Sequence, residues 1–126
     1  MKAIKQNYTI SAAVEKVWKA LVDPREIEKW GAGPAKMDDK AGSKFSIWGG
    51  DIHGTNATVI ENKVLEQDWY GGDWDQPSKV RFELKQKGNK TGLELIHENI
   101  PDDEAKDIDD GWKQYYLGPM KEYLEK

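Results

Sequence analysis

Hydrophobic and polar residues alternate from the start of the chain, with Ile4, Gln6, Tyr8 and Ile10 on one side and Lys5, Asn7 and Thr9 on the other. A period of two is that of a strand with one face buried and one wet. Beyond residue 10 the period lengthens. Val14, Val17, Trp18 and Leu21 recur at helical spacing behind Ser11, a residue type that caps helices, which predicts a first helix with Ser11 as its N-cap. Asp23-Pro24-Arg25-Glu26 predicts a second, short helix. Asp23 is its cap, Pro24 takes the first helical position, Ile27 and Trp30 form its inner side, and Gly31 ends it.

Between residues 35 and 98 the period returns to two, and DDKAGS, WGGD, ENK, YGGDWDQPS and KGNKTG break the segment into five or six strands. KVRFELK is the cleanest, with Val80, Phe82 and Leu84 in one row and Lys79, Arg81, Glu83 and Lys85 in the other. Turns this short cannot carry parallel crossovers, which need about a dozen residues, so the strands should form an antiparallel meander. In the last segment, acids from Asp102 to Asp110 precede Lys113, Lys121 and Lys126, the order that suits a helix dipole. Ile108, Trp112, Tyr115, Tyr116, Met120 and Tyr123 advance by three or four residues as a wide apolar stripe made to cover a sheet. Gly118-Pro119 should kink that helix. The order is strand, two short helices, a run of strands and one long helix, with no repeat or linker. It predicts a single α+β domain over residues 1–126.

Composition narrows the function classes. The chain has no cysteine, which excludes disulfides, thiolate metal sites and a cysteine nucleophile. A net charge of -4 without a dense Lys/Arg cluster argues against a nucleic-acid partner. No apolar run approaches the roughly 20 residues of a membrane span, and MKAIKQNYTI lacks the apolar core of a signal peptide, so a cytoplasmic, membrane-free domain is expected. Six tryptophans in 126 residues are unusual, and such large rings must fill a core, line a cavity or meet a partner.

Catalytic signals are few. His53 and His97 are the only histidines, and both fall on predicted strands. His97 shares the row of Leu93 and Leu95 and reads as a buried imidazole rather than a base or ligand. The acids sit in DDEAKDIDD or face outward on strands, WGGD and YGGD lack the spacing of a phosphate loop, and no nucleophile elbow occurs. No metal, cofactor or catalytic residue is expected. The loop DWYGGDWD admits two readings: Tyr70 and Trp74 as anchors for a partner, or Trp69 ending a strand in the core with only Trp74 partly exposed.

VEKVWKALVDPREIEKW, AGSKF, GGDIHG, QDW, LELIHENIP and above all GWKQYYLGPMKEYL resemble the activator of heat shock protein 90 ATPase family over nearly the whole chain. The most specific piece is GWKQYY, where Gly111, Trp112, Tyr115 and Tyr116 match the Gly-Trp and paired tyrosines on the last helix of the eukaryotic activator's C-terminal domain. The resemblance implies a helix-grip fold of the START-like or Bet v 1-like (SRPBCC) superfamily. In that fold a curved antiparallel sheet, here of about six or seven strands, wraps around a long C-terminal helix. It also implies a cavity between sheet and helix that takes an apolar ligand in several relatives. The lining expected here is Trp18, Leu21, Trp30, Phe45, Ile47, Trp69, Phe82, Leu84, Leu95, His97, Trp112, Tyr116 and Met120. The implied function is that of a monomeric, non-enzymatic co-chaperone module binding a heat shock protein 90 class chaperone. Strong ATPase stimulation is not expected, since the activator's separate N-terminal domain has no counterpart in this sequence. A carrier of a small apolar ligand is the alternative, and an enzyme the least favoured class, because only His97 is placed for acid-base work.

Overall fold

A computed structural model describes residues 1–72 and 74–126. The elements are β1 (Lys2–Ile10), α1 (Val14–Val22), α2 (Pro24–Trp30), β2 (Lys44–Ile47), β3 (Ile52–Ile60), β4 (Val64–Tyr70), β5 (Ser78–Lys87) and β6 (Lys90–Ile100). Then come α3 (Ala105–Gly111), a wide π-helical turn (Trp112–Tyr116) and α4 (Leu117–Leu124), which together make one long C-terminal helix. Among the described residues the six strands form one antiparallel sheet in the order β1-β6-β5-β4-β3-β2, so the first strand closes against the last. Register shifts between Asn56 and Thr58 in β3 and between Lys2 and Ile4 in β1 bend these strands, as bulges do. The curved open sheet with its helix is the α+β helix-grip arrangement.

Inward rows of the sheet meet the helix stripe in one apolar cluster that includes Ile10, Leu21, Ile27, Leu65, Phe82, Leu95, Trp112, Tyr116 and Met120, all buried. α2 starts and stops where its sequence indicates: Asp23 Oδ1 accepts from the Arg25 N–H at 2.9 Å, and Gly31 adopts a φ of 117° at the C-cap. Ser11, in contrast, does not cap α1. Ala13 occupies the N-cap with no side-chain bond, and the Val14 N–H donates instead to Oε1 of Gln86 on β5 at 2.9 Å. The acceptor comes from a strand 72 residues away, so the local capping preference of Ser11 has nothing left to satisfy; its own N–H donates to Glu125 Oε2.

The irregularity in the C-terminal helix lies just before Gly118-Pro119, over residues 112–116. There Leu117 N–H donates to the Trp112 carbonyl five residues back. Two local facts place the wide turn. Pro119 cannot donate, and its ring crowds the carbonyl four residues earlier. In addition, four residues of regular helix advance about 400°, so the series Trp112, Tyr116, Met120 would drift about 40° per step off the sheet. The wide turn removes part of that drift, and all three residues are buried. It also turns Tyr115 out, 63% exposed, although the stripe includes it.

Gly118 is the residue that permits this turn, because a Cβ there would stand 2.0 Å from the Lys113 carbonyl oxygen. Alanine normally stabilises a helix interior by about 1 kcal/mol relative to glycine. Here the sign should reverse: Gly118→Ala is expected to destabilise the fold by about 1–3 kcal/mol, read from urea unfolding. A stabilised variant would show that the wide turn is not needed.

Candidate functional site

The centre of the molecule is an aromatic stack. Trp112 lies 5.4 Å from Trp69 with the rings near parallel at 23°, and 4.6 Å from Tyr116, which in turn sits 4.8 Å from Trp30. Phe82 meets both Trp112 and Tyr116. Within the stack His97 is fully buried. The Trp112 Nε1–H donates to His97 Nδ1 at 3.0 Å, and Ser78 Oγ lies 2.8 Å from His97 Nε2. The Ser78 hydroxyl donates to the Trp69 carbonyl at 2.7 Å, so it must accept from the imidazole. That sequence of donors sets the tautomer: His97 is neutral, with its proton on Nε2. Burial pushes the imidazole pKa down to about 3. A base that is fully occupied and closed off from solvent is poorly placed for chemistry.

Where the stack reaches the surface it opens into a cleft of about 350 Å³. One wall is the helix, with Asp107, Ile108, Gly111, Trp112, Tyr115 and Tyr116; the other is Trp69 and the turn into β3, with Trp48, Asp51 and Ile52. Trp48 is held in an uncommon left-handed conformation, with φ 50°. Two hydrogen bonds fix it there: its backbone N–H to Ala32 O at 2.8 Å and its Nε1–H to Gly31 O at 3.0 Å. Backbone strain of this kind is worth about 1–3 kcal/mol and persists only where the surroundings over-determine it. Trp69 has a buried Nε1–H with no acceptor among the described residues.

Of the residues expected to line a cavity, Trp69, Trp112 and Tyr116 come together at this cleft. Trp18, Leu21, Trp30, Phe45, Ile47, Phe82, Leu84, Leu95, His97 and Met120 lie in the buried core. In the loop after β4, Trp74 is half-buried, packs 6.4 Å from Trp69 and donates from Nε1 to Glu104 Oε2 at 2.8 Å. Tyr70 lies on the other face of the sheet, stacked on His53 at 5.2 Å. Asp73, between them, lies outside the described residues. Sequence reasoning did not single out Trp48, Asp51, Ile52 or Asp107. The one signal for Trp48 and Asp51 was the WGGD turn, whose tryptophan has no place in an ordinary glycine turn. Among the described residues no group of three or more His, Cys, Asp or Glu is placed to hold a metal ion, and no helix is long and apolar enough to cross a membrane.

The family model for "Activator of Hsp90 ATPase homolog 1-like protein" matches residues 11–125. An uncharacterised protein of Schizosaccharomyces pombe is 26% identical over 120 residues, 94% of this chain and 36% of the relative. The activator of 90 kDa heat shock protein ATPase homologue of Dictyostelium discoideum is 24% identical over 123 residues, 95% of this chain and 32% of that protein. This chain therefore spans about a third of the length of the curated relatives it matches. Among solved structures, an HSP90 activator from Plasmodium falciparum superimposes with a TM-score of 0.91 at 25% identity, covering 98% of this chain and 96% of that one. The Aha1 dimer from Colwellia psychrerythraea gives 0.86 at 23% identity, covering 99% and 97%.

Proposed function

The chain belongs to the family of activator of Hsp90 ATPase homologue 1-like proteins, and on that premise we propose that it is a non-enzymatic binding domain of co-chaperone type whose partner is an Hsp90-class chaperone. The observation that carries this reading is the extent of the likeness, which runs from the first helix to the end of the last and includes Trp112 and the paired Tyr115 and Tyr116. The partner-facing anchor we assign is Tyr115, a large aromatic left 63% exposed beside the cleft, because tyrosine and tryptophan concentrate binding energy at interfaces.

An NMR titration of the labelled domain with the purified chaperone tests this. Broadening confined to one surface around Tyr115 and Trp48 is expected. Tyr115→Ala should weaken binding about tenfold without loss of fold. Trp74→Ala is the comparison, since the Trp74 ring is tied to Glu104 inside the domain and should matter less. Unchanged spectra at saturating chaperone would end the co-chaperone reading; a loss confined to Trp74→Ala would move the anchor to the loop.

A second reading is favoured by the cleft itself. Its volume of about 350 Å³ and its aromatic walls fall at the lower end of the range for small-molecule sites, about 300–1,000 Å³. On this reading the domain takes a small ligand there, and native mass spectrometry of the protein from its own source would retain it.

A further inference from the structure

The cleft has an asymmetry of charge that its aromatic walls alone do not explain. Trp48 and Tyr115 present the more open rings over a nearly closed floor of Trp69, Trp112 and Tyr116. Among the described residues the only ionisable groups beside these phenols are the carboxylates of Asp51 and Asp107, with no lysine, arginine or histidine in the lining. The two acids come from opposite walls, Asp51 from the turn into β3 and Asp107 from α3. Among the described residues neither is in an ion pair, whereas the neighbouring Asp109 is paired with Lys113 and Asp102 with the terminal amine. We propose that this cleft binds an organic monocation, a protonated or quaternary amine joined to a flat apolar group. The proposal rests on the second reading above, that the cleft takes a small molecule, and specifies its chemical class.

Three physical arguments converge on that ligand. The faces of indole and phenol rings carry negative potential and attract ammonium groups, tryptophan most strongly. A neutral apolar guest would leave the field of the two exposed carboxylates unused, and an anion would be repelled by both. A cation compensates each. A bare metal ion fits less well, because two carboxylates on opposite walls among rings do not supply the oxygen shell that hard cations require. The site is also pre-organised: Trp48 is pinned by its bonds to Gly31 and Ala32, and Trp112 by its bond to His97, so little ordering remains when a guest enters.

The test uses three matched probes on the whole domain: (2-naphthylmethyl)trimethylammonium, its neutral carbon isostere 2-neopentylnaphthalene, and the anion 2-naphthylacetate. Affinities are read by calorimetry, and the place of binding from the indole N–H resonances of Trp48, Trp69 and Trp112. The cation is expected to bind about tenfold or more tightly than the isostere, with the anion weakest, and to weaken as salt is raised. Asp51→Asn and Asp107→Asn, both at exposed positions, should each reduce cation affinity about three- to tenfold and leave the neutral probe unaffected. Equal binding of cation and isostere, or Asn variants that bind the cation as the parent does, overturns the proposal while leaving a ligand cleft in place. Failure of all three probes to shift the indole resonances overturns both.

Discussion

Replacing Trp112 by alanine should destabilise the domain by about 4–8 kcal/mol. Truncating a buried tryptophan costs about 3–5 kcal/mol through lost contacts and the cavity that remains. The stack makes that cavity hard to close, because Trp69, Phe82, His97 and Tyr116 all rest on this one ring. The substitution also strips His97 Nδ1 of its donor, and a buried acceptor left alone adds about 1–3 kcal/mol. Since domains of this size are stable by only about 5–15 kcal/mol, the variant should sit at or below the threshold of folding. Trp112→Phe separates the two contributions: it keeps a ring and loses the N–H, and should cost about 2–3 kcal/mol in a urea titration followed by circular dichroism. A Trp112→Ala protein that unfolds at nearly the parent's urea concentration would mean that the stack is not the keystone of the core.

Acid should expose the second large effect. The His97 imidazole has its pKa held at about 3 by burial, against about 6.5 in the unfolded chain. Above about pH 6.5 the ring is neutral in both states and the fold loses nothing. As pH falls from there towards 3, the unfolded chain takes up a proton that the native state refuses, and stability drops by about 1.4 kcal/mol per pH unit. The whole window amounts to roughly 3–5 kcal/mol. Protonation in place would also set an N–H against the Trp112 N–H that now donates to Nδ1. Carboxylates held below their usual range, Glu66 by its bond to Thr58 and Glu125 by its bond to the Ser11 N–H, join in at lower pH. The interval from about pH 6.5 to 5.5 therefore isolates the histidine. His97→Gln should be less stable at neutral pH and should show a much flatter dependence across that interval. Parallel slopes in parent and variant would contradict a neutral, buried His97.

These two effects bear on function through a common point. The rings that floor the cleft are the rings that hold the core together, so the cleft is rigid, and variants at Trp112 will confound binding with folding. Asp51, Asp107 and Tyr115, which are exposed, can be changed without that confusion.

How far the sequence reaches is clearest from individual residues. The alternation of KVRFELK, the Asp23-Pro24 start of α2 and the stripe through Trp112, Tyr116 and Met120 each depend on neighbours within about two turns, and the structure has them as the pattern indicates. The α+β class follows from these local signals taken in order, whereas the family was reached through the resemblance of pieces such as GWKQYY. The cleft was not legible in the same way. Trp48 sits in what reads as a glycine turn, and its positive φ comes from bonds to Gly31 and Ala32. Asp51 and Asp107 read as solvated acids until α3 and the turn into β3 are brought to face each other.

By itself, then, the sequence determined the elements, their order and the buried faces, because periodicity and local caps act over a few residues. Only the tertiary structure decided that Gln86 rather than Ser11 caps α1, that the wide turn precedes Pro119 and sends Tyr115 outward, that His97 is enclosed by Ser78 and Trp112, and that two acids flank an aromatic cleft. The first, third and fourth arise from partners distant along the chain. The second is partly local, since Gly118 permits the turn and Pro119 favours it, and partly tertiary, because the helix must keep its rings over the sheet.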